Sequence, residues 1–323
     1  MALLEFYQQI LKEMYCLEEE LLASVKTKET LLWETLENTI KAGGKRLRPA
    51  LVYLSAQFGD YNYEKIKPLA VAVELVHTAT LIHDDIIDDS PLRRGIPTVQ
   101  ASIGKDAAVY AGDYVLAKAL KILVDHGNLD ILKSVSGVLY RVCEGEVRQK
   151  TEAFNLNISF IDYARRIRKK TALLFAISCE LGARGANAEP QTISALKKYG
   201  MMLGMAFQVM DDILDLTEEE SRTGKPRGND IKEGVITLPL LYALNNGSKS
   251  HKLRELLSKP SQWGPNTIDE IIEIVKKSGG IEYARHIAER YVTKSKNQLS
   301  VLKDIPAKSS LILLADYVVN RTG

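Results

Sequence analysis

Two stretches of this chain carry aspartates at a spacing that suits a divalent cation. In LIHDDIIDDS, Asp84, Asp85 and Asp88 stand at i, i+1 and i+4, and in QVMDDILDLT, Asp211, Asp212 and Asp215 repeat the DDxxD pattern. Positions four apart on an α-helix lie nearly above one another, so each motif puts two carboxylates on one face with the third beside them. Three carboxylates at the end of an apolar helix repel one another and are costly to desolvate unless a cation sits among them. Hard oxygen ligands with room for water suit Mg2+, which is commonly shared with substrate phosphates. A single acidic run is as readily a solvated helix end. The second copy weighs against that, because at roughly 6% Asp per position a chain of this length holds about 0.07 such motifs by chance.

Cations stand where phosphate groups would need them. Arg93 and Arg94 follow the first motif by about a turn, and arginine forks grip phosphate oxygens. In GGKRLRP, two glycines let the backbone approach a ligand, and Lys45, Arg46 and Arg48 crowd together in a way that calls for an anion. His77, seven residues before Asp84, shares nearly the same helix face two turns deeper, as a ligand contact or as a satisfied core histidine. Lys169, Lys170 and Thr171 open an apolar run, either to hold a second phosphate or as an ordinary charged helix entrance. Gln208 sits one turn ahead of Asp211 and Asp212, and Lys225 in GKP is a phosphate contact on a turn or part of a solvated loop.

Apolar periodicity and stop signals predict helices over 3–26, 28–42, 49–58, 63–89, 105–125, 129–151, 159–184 and 190–217. Further helices are expected at 235–246, 251–258, 267–277, 280–300 and 306–320, as scaffold, with Trp263 packing a loop. No strand-like alternation of useful length and no repeat beyond the acidic pair is present, so the fold class is all-α. At 46% hydrophobic residues the core is ample, and a net charge of +2 argues against a general nucleic-acid or membrane-surface role. Three cysteines without a CxxC pair fit a reducing, cytoplasmic setting. The N-terminus lacks the basic start of a signal peptide, and no run is expected to reach the length of a membrane span. Lys45 and Lys225 precede Arg46 and Pro226, so neither is a P-loop lysine, and GxGxxG, HExxH and GxSxG are absent.

In this order and spacing, GGKRLRP, ELVHTATLIHDDIIDD, LRRG-PT, RKKTA, QVMDDILD and GKP resemble the trans-prenyltransferases, or polyprenyl diphosphate synthases, over residues 40–240, and most of all bacterial long-chain members. The resemblance implies an isoprenoid-synthase-type helical bundle around a deep central cavity, one domain over 1–323, with the two acidic motifs on facing helices near the mouth. It implies that Asp84 and Asp88 hold two Mg2+ ions and Asp211 a third, with Asp85, Asp212 and Asp215 in support and Lys170 among the catalytic groups. Arg93, Lys170, Thr171, Gln208 and Lys225 would hold an allylic diphosphate; Lys45, Arg48, His77 and Arg94 would hold isopentenyl diphosphate. Many members carry Lys or Asn after the glycine of DIxEG, whereas Val235 follows Gly234 here, which leaves that phosphate contact open, with Lys232 as a substitute.

By the same resemblance the growing tail descends along the helix of the first motif. Ala79 and Thr80 lie about 7.5 and 6 Å down its axis from Asp84, where short-chain members carry an aromatic plug, and Val76 lies a turn below. These small side chains imply a hexaprenyl to octaprenyl product, heptaprenyl first, for a quinone side chain. A homodimer, or a heteromer with a small accessory subunit, is expected. A short-chain synthase, a terpene cyclase and a non-catalytic partner subunit are the alternatives.

Overall fold

The computed structural model describes residues 6–217 and 227–321. In chain order the helices are α1 (Leu11–Val25), α2 (Thr30–Lys41), α3 (Leu47–Ala56) and α4 (Tyr63–Ile87). A minimal hairpin, β1 (Leu92–Arg93) and β2 (Ile96–Pro97), leads to α5 (Val99–Ile103), α6 (Lys105–Asp125) and α7 (Leu129–Thr151). Next come α8 (Phe160–Ile167), a π-helical turn (Arg168–Ala172), α9 (Leu173–Gly185) and α10 (Pro190–Thr217). The remainder is α11 (Asn229–Lys232), α12 (Leu238–Asn246), α13 (Ser250–Ser258), α14 (Thr267–Lys277), α15 (Gly280–Gln298) and α16 (Pro306–Asn320). Apart from the hairpin, the described residues form an all-α fold.

The chain forms two compact units. One takes the residues up to Gly137 with Leu174–Gly200 and Gln298–Leu314; the other takes Val138–Leu173, Met201–Asn297 and the residues from Ala315 on. In the first unit α4 packs chiefly against α6 and α3. Asn62 caps α4 by accepting the Lys65 N–H at 3.2 Å, and Leu69, Ala70, Val71, Ala72, Val73 and Leu75 are buried in sequence. An unbroken buried run marks a helix covered on all sides, not an amphipathic surface helix. That corrects one expectation, because α4 is long and apolar enough by length and composition to cross a membrane; 67% of its most apolar window is buried within the protein. α3 and α9 approach closely at Gly182, where a Cβ would lie 2.0 Å from the Val52 carbonyl oxygen.

In the second unit, α12, α13 and α14 pack on one another and α8 on α12. Trp263 does pack a loop: its ring meets Phe154 edge-on at 5.9 Å and its indole N–H donates to the Leu256 carbonyl at 2.8 Å. Phe154 also covers Gly234, whose φ of +75° and lack of a Cβ permit the contact.

Candidate active site

The first unit assembles one set of groups at the C-terminal end of α4. The helix ends at Ile87, one residue before the last aspartate of the motif, so Asp88 is the C-cap and its N–H donates to the Asp84 carbonyl at 2.8 Å. Asp84 and Asp88 are half-buried and stacked a turn apart. Asp85 is buried and already partnered: Arg93 Nε lies 2.9 Å from both its oxygens and Nη2 2.7 Å from Oδ1. Arg94 and Gly95, both at positive φ, form the two-residue turn between β1 and β2, the geometry a tight hairpin requires. The turn brings the Arg94 guanidinium over Gly44, where a Cβ would come within 2.7 Å of Nη2. The two basic motifs, 50 residues apart in the chain by 94 − 44, therefore meet at a glycine.

His77, Asp85, Arg93 and Arg94 line one small cavity together with Arg46 and Glu74. Burial first, then the charges of Arg48, Arg94, Arg93 and Arg46, hold the His77 imidazole well below its ordinary range and hence neutral. Arg48 stacks on Phe175, 4.9 Å from the ring centre. Lys45, just before α3, is half-buried. Arg46 is different: it is buried and ion-paired to Glu18 and Glu74. Val76 and Ala79 are buried, while Thr80 is half-buried with its hydroxyl donating to the His77 carbonyl at 2.7 Å. A wider cleft at the start of α4, with Lys65, Lys67, His126 and Arg184 beside Glu20, Glu64, Asp125 and Asp130, contains none of the residues singled out from the sequence.

The second unit assembles the other set. RKKTA is a π-helical turn inside the helical run expected over 159–184, joining α8 to α9 without a break, and such turns mark sites where one residue is squeezed into a helix. The Thr171 hydroxyl donates to Gln208 Oε1 at 2.5 Å, Gln208 Nε2 donates to Asp212 Oδ1 at 3.0 Å, and the Tyr163 hydroxyl donates to Asp212 Oδ2 at 2.7 Å. Lys170 reaches Glu146 at 3.4 Å and Lys169 reaches Glu144 at 3.0 Å. Asp215 accepts the Asn229 and Asp230 N–H groups at 3.1 and 3.4 Å. Asp211 is ion-paired with Arg321, whose guanidinium lies over Phe207. Lys225 lies outside the described residues, Lys232 is exposed, and the Val235 N–H donates to the Asp230 carbonyl.

Tyr163, Asp230 and Arg321 are absent from the sequence-derived set. Only Asp230 carried a signal, as the aspartate of DIxEG. Burial, and after it the Asp230 charge, pushes Asp212 up to about 7 and Asp215 up to about 8. A crowd of hard oxygen donors held against their own repulsion fits a divalent cation of the Mg2+ type. Among the described residues no three His, Cys, Asp or Glu side chains gather closely enough to hold a metal unaided. Such a set leaves coordination positions for water and phosphate oxygens, as Mg2+ sites commonly do.

Comparison with known proteins agrees with this chemistry. The family model described as polyprenyl synthetase matches residues 29–275. The chain is 40% identical, over 94% of its own length and 87% of the relative's, to heptaprenyl diphosphate synthase component 2 of Bacillus subtilis. It is 37% identical to a short chain isoprenyl diphosphate synthase of Methanothermobacter thermautotrophicus, over 91% of both. The crystal structure of a polyprenyl synthase from Caulobacter crescentus, complexed with calcium and isoprenyl diphosphate, superposes with a TM-score of 0.94 at 31% identity, covering 99% of this chain and 98% of that one. With the family match, the relatives' identity and the helical fold in agreement, the chain belongs to the polyprenyl synthetase family and is a prenyltransferase.

Proposed function

We propose that the enzyme joins isopentenyl diphosphate head-to-tail to an allylic diphosphate, in a Mg2+-dependent reaction, to make a long-chain all-trans polyprenyl diphosphate. The product is hexaprenyl to octaprenyl, heptaprenyl foremost, for a quinone side chain, made by one catalytic domain over residues 1–323 in the cytoplasm. The observation that carries this reading is the cavity where His77, Arg93 and Arg94 stand beside the Asp84–Asp88 end of α4. Neutral His77 adds a hydrogen-bonding group to a cationic wall without adding a charge.

Asp84, Asp88 and Asp211 are the proposed ligands, and bound Mg2+ would supply Lewis-acid stabilisation of the negative charge that grows on departing diphosphate. Lys45, Arg48, His77 and Arg94 bind the isopentenyl diphosphate, while Arg93, Lys170, Thr171, Gln208 and Lys225 orient the allylic partner. Asp85 holds the Arg93 fork, and Asp212 holds Gln208 and through it Thr171. The allylic C–O bond breaks, the isopentenyl double bond supplies the electron pair for the new C–C bond, and a proton leaves to the released diphosphate. No side-chain nucleophile is required, and apolar walls keep water from quenching the cation.

Replacing Asp84, Asp88 or Asp211 by Asn is expected to lower kcat at least about a hundredfold with helicity retained by circular dichroism, in line with the loss of a charge-stabilising group. Unchanged turnover would remove that residue from the metal set. Labelled products made with and without isopentenyl diphosphate separate elongation from cyclisation. A short-chain product is the second reading, favoured by the 37% identity to the archaeal short-chain enzyme. The Bacillus subtilis relative's designation as component 2 supports a heteromer with an accessory subunit over the homodimer, and product analysis from the purified chain alone tests it.

A further inference from the structure

We propose that the N-terminal segment braces the isopentenyl diphosphate site, through Tyr7 and Glu18 holding the Lys45–Arg46 turn; this rests on the reading of Lys45 and Arg48 as the ligands of that diphosphate. Arg46 is a buried, non-glycine residue at φ +44°, a left-handed conformation that persists only where the surroundings over-determine it. They do so here. Its Nε and Nη2 fork the Glu18 carboxylate at 2.8 and 3.0 Å, Nη1 donates to Glu74 Oε1 at 2.8 Å, and Nη2 also donates to the Ile40 carbonyl at 2.8 Å. The Tyr7 hydroxyl donates to the carbonyl of the preceding residue, Lys45. Two consecutive residues are thus pinned from the N-terminal segment, from the end of α2 and from the middle of α4.

The pins decide where the flanking cations stand. Arg46 turns inward to two glutamates, and the chain on either side of it carries Lys45 and Arg48. Glu74 lies three residues, about one turn, before His77 on α4, so the ion pair that fixes Arg46 also fixes the loop next to the neutral histidine. The two carboxylates of Glu18 and Glu74 more than offset the Arg46 charge within a group that also holds Lys45, Arg48, Arg93 and Arg94. Tyr7 and Glu18 both precede residue 29, where the family model begins its match. Arg46, Glu18 and Tyr7 are positioning residues by this account.

The test compares Tyr7→Phe, Glu18→Gln and their combination with wild type, using Lys45→Gln as the control for the site itself. The double variant is expected to raise KM for isopentenyl diphosphate about tenfold, the size of effect one charge-assisted hydrogen bond commands. Its kcat and its KM for the allylic diphosphate are expected to stay within twofold, with a small fall in the unfolding midpoint from the lost partner of buried Arg46, and Tyr7→Phe alone to give a smaller rise in KM. Equal losses in kcat and both KM values with a lowered midpoint would reduce the brace to a structural prop and overturn the proposal. A flat KM in the double variant while Lys45→Gln raises it would overturn the brace alone. A flat KM in Lys45→Gln would overturn the site reading, and the brace with it.

Discussion

His77 shows how much a single side chain depends on its surroundings. Half-buried in the cavity it shares with Arg46, Arg93 and Arg94, its imidazole is held neutral, with a pKa well below the ordinary value of 6.5. The unfolded chain takes up a proton near 6.5 while the folded chain does not, so folding stability falls as pH drops below that point. The urea midpoint is expected to decrease between pH 7.5 and 5.5, and the decrease to be smaller in His77→Asn; equal slopes would place the titration elsewhere. Cys179 offers a second test at this scale. Burial pushes its thiol up to about 12, whereas Cys143 is exposed. Alkylation at pH 8 should therefore modify Cys143 in the native protein and reach Cys179 only after unfolding. Labelling of native Cys179 would show that α9 opens readily.

At the scale of elements, α4 does three jobs that its residues divide among themselves. Its apolar run buries against α6 and α3, its C-terminal end presents Asp84 and Asp88, and Val76, Ala79 and Thr80 lie between. Under the proposed tail path, Ala79→Tyr should shift the product toward farnesyl or geranylgeranyl chains, read by chromatography of labelled products. An unchanged chain length would take Ala79 out of the path and leave it as close packing alone. The α3–α9 contact gives a stability test. A methyl group at Gly182 would lie 2.0 Å from the Val52 carbonyl oxygen, so Gly182→Ala should cost about 1–3 kcal/mol in urea unfolding by overpacking. Removing one residue to turn the π-helical turn into regular helix would rotate Thr171 away from Gln208, because each residue turns the face by 100°.

For the whole molecule, chain connectivity has a consequence for unfolding. Each unit is built from three chain segments, and every boundary between them falls inside a helix: α7, α9, α10, α15 and α16. Melting one unit alone would cut the hydrogen-bond ladders of those helices, and the nucleus of a broken helix is costly to rebuild. One transition is expected by both far-ultraviolet circular dichroism and calorimetry; two separated transitions would show that the units unfold independently.

Most helix spans and the paired aspartate motifs were legible in the sequence, because amphipathic period, stop signals and four-residue spacing are local properties of the chain. The partners of those groups were not. Periodicity carried no sign that Arg94 would lie on Gly44, that Arg46 would turn inward to Glu18 and Glu74, or that Tyr163 and Arg321 would bond Asp212 and Asp211. The π-helical turn at RKKTA was equally hidden, since it arises where helices meet. Sequence by itself determined which chemical groups are available and on which helices they ride. Tertiary structure decided which of them pair with one another and which stand beside the cavity, because burial and electrostatic pairing depend on residues brought together from distant parts of the chain.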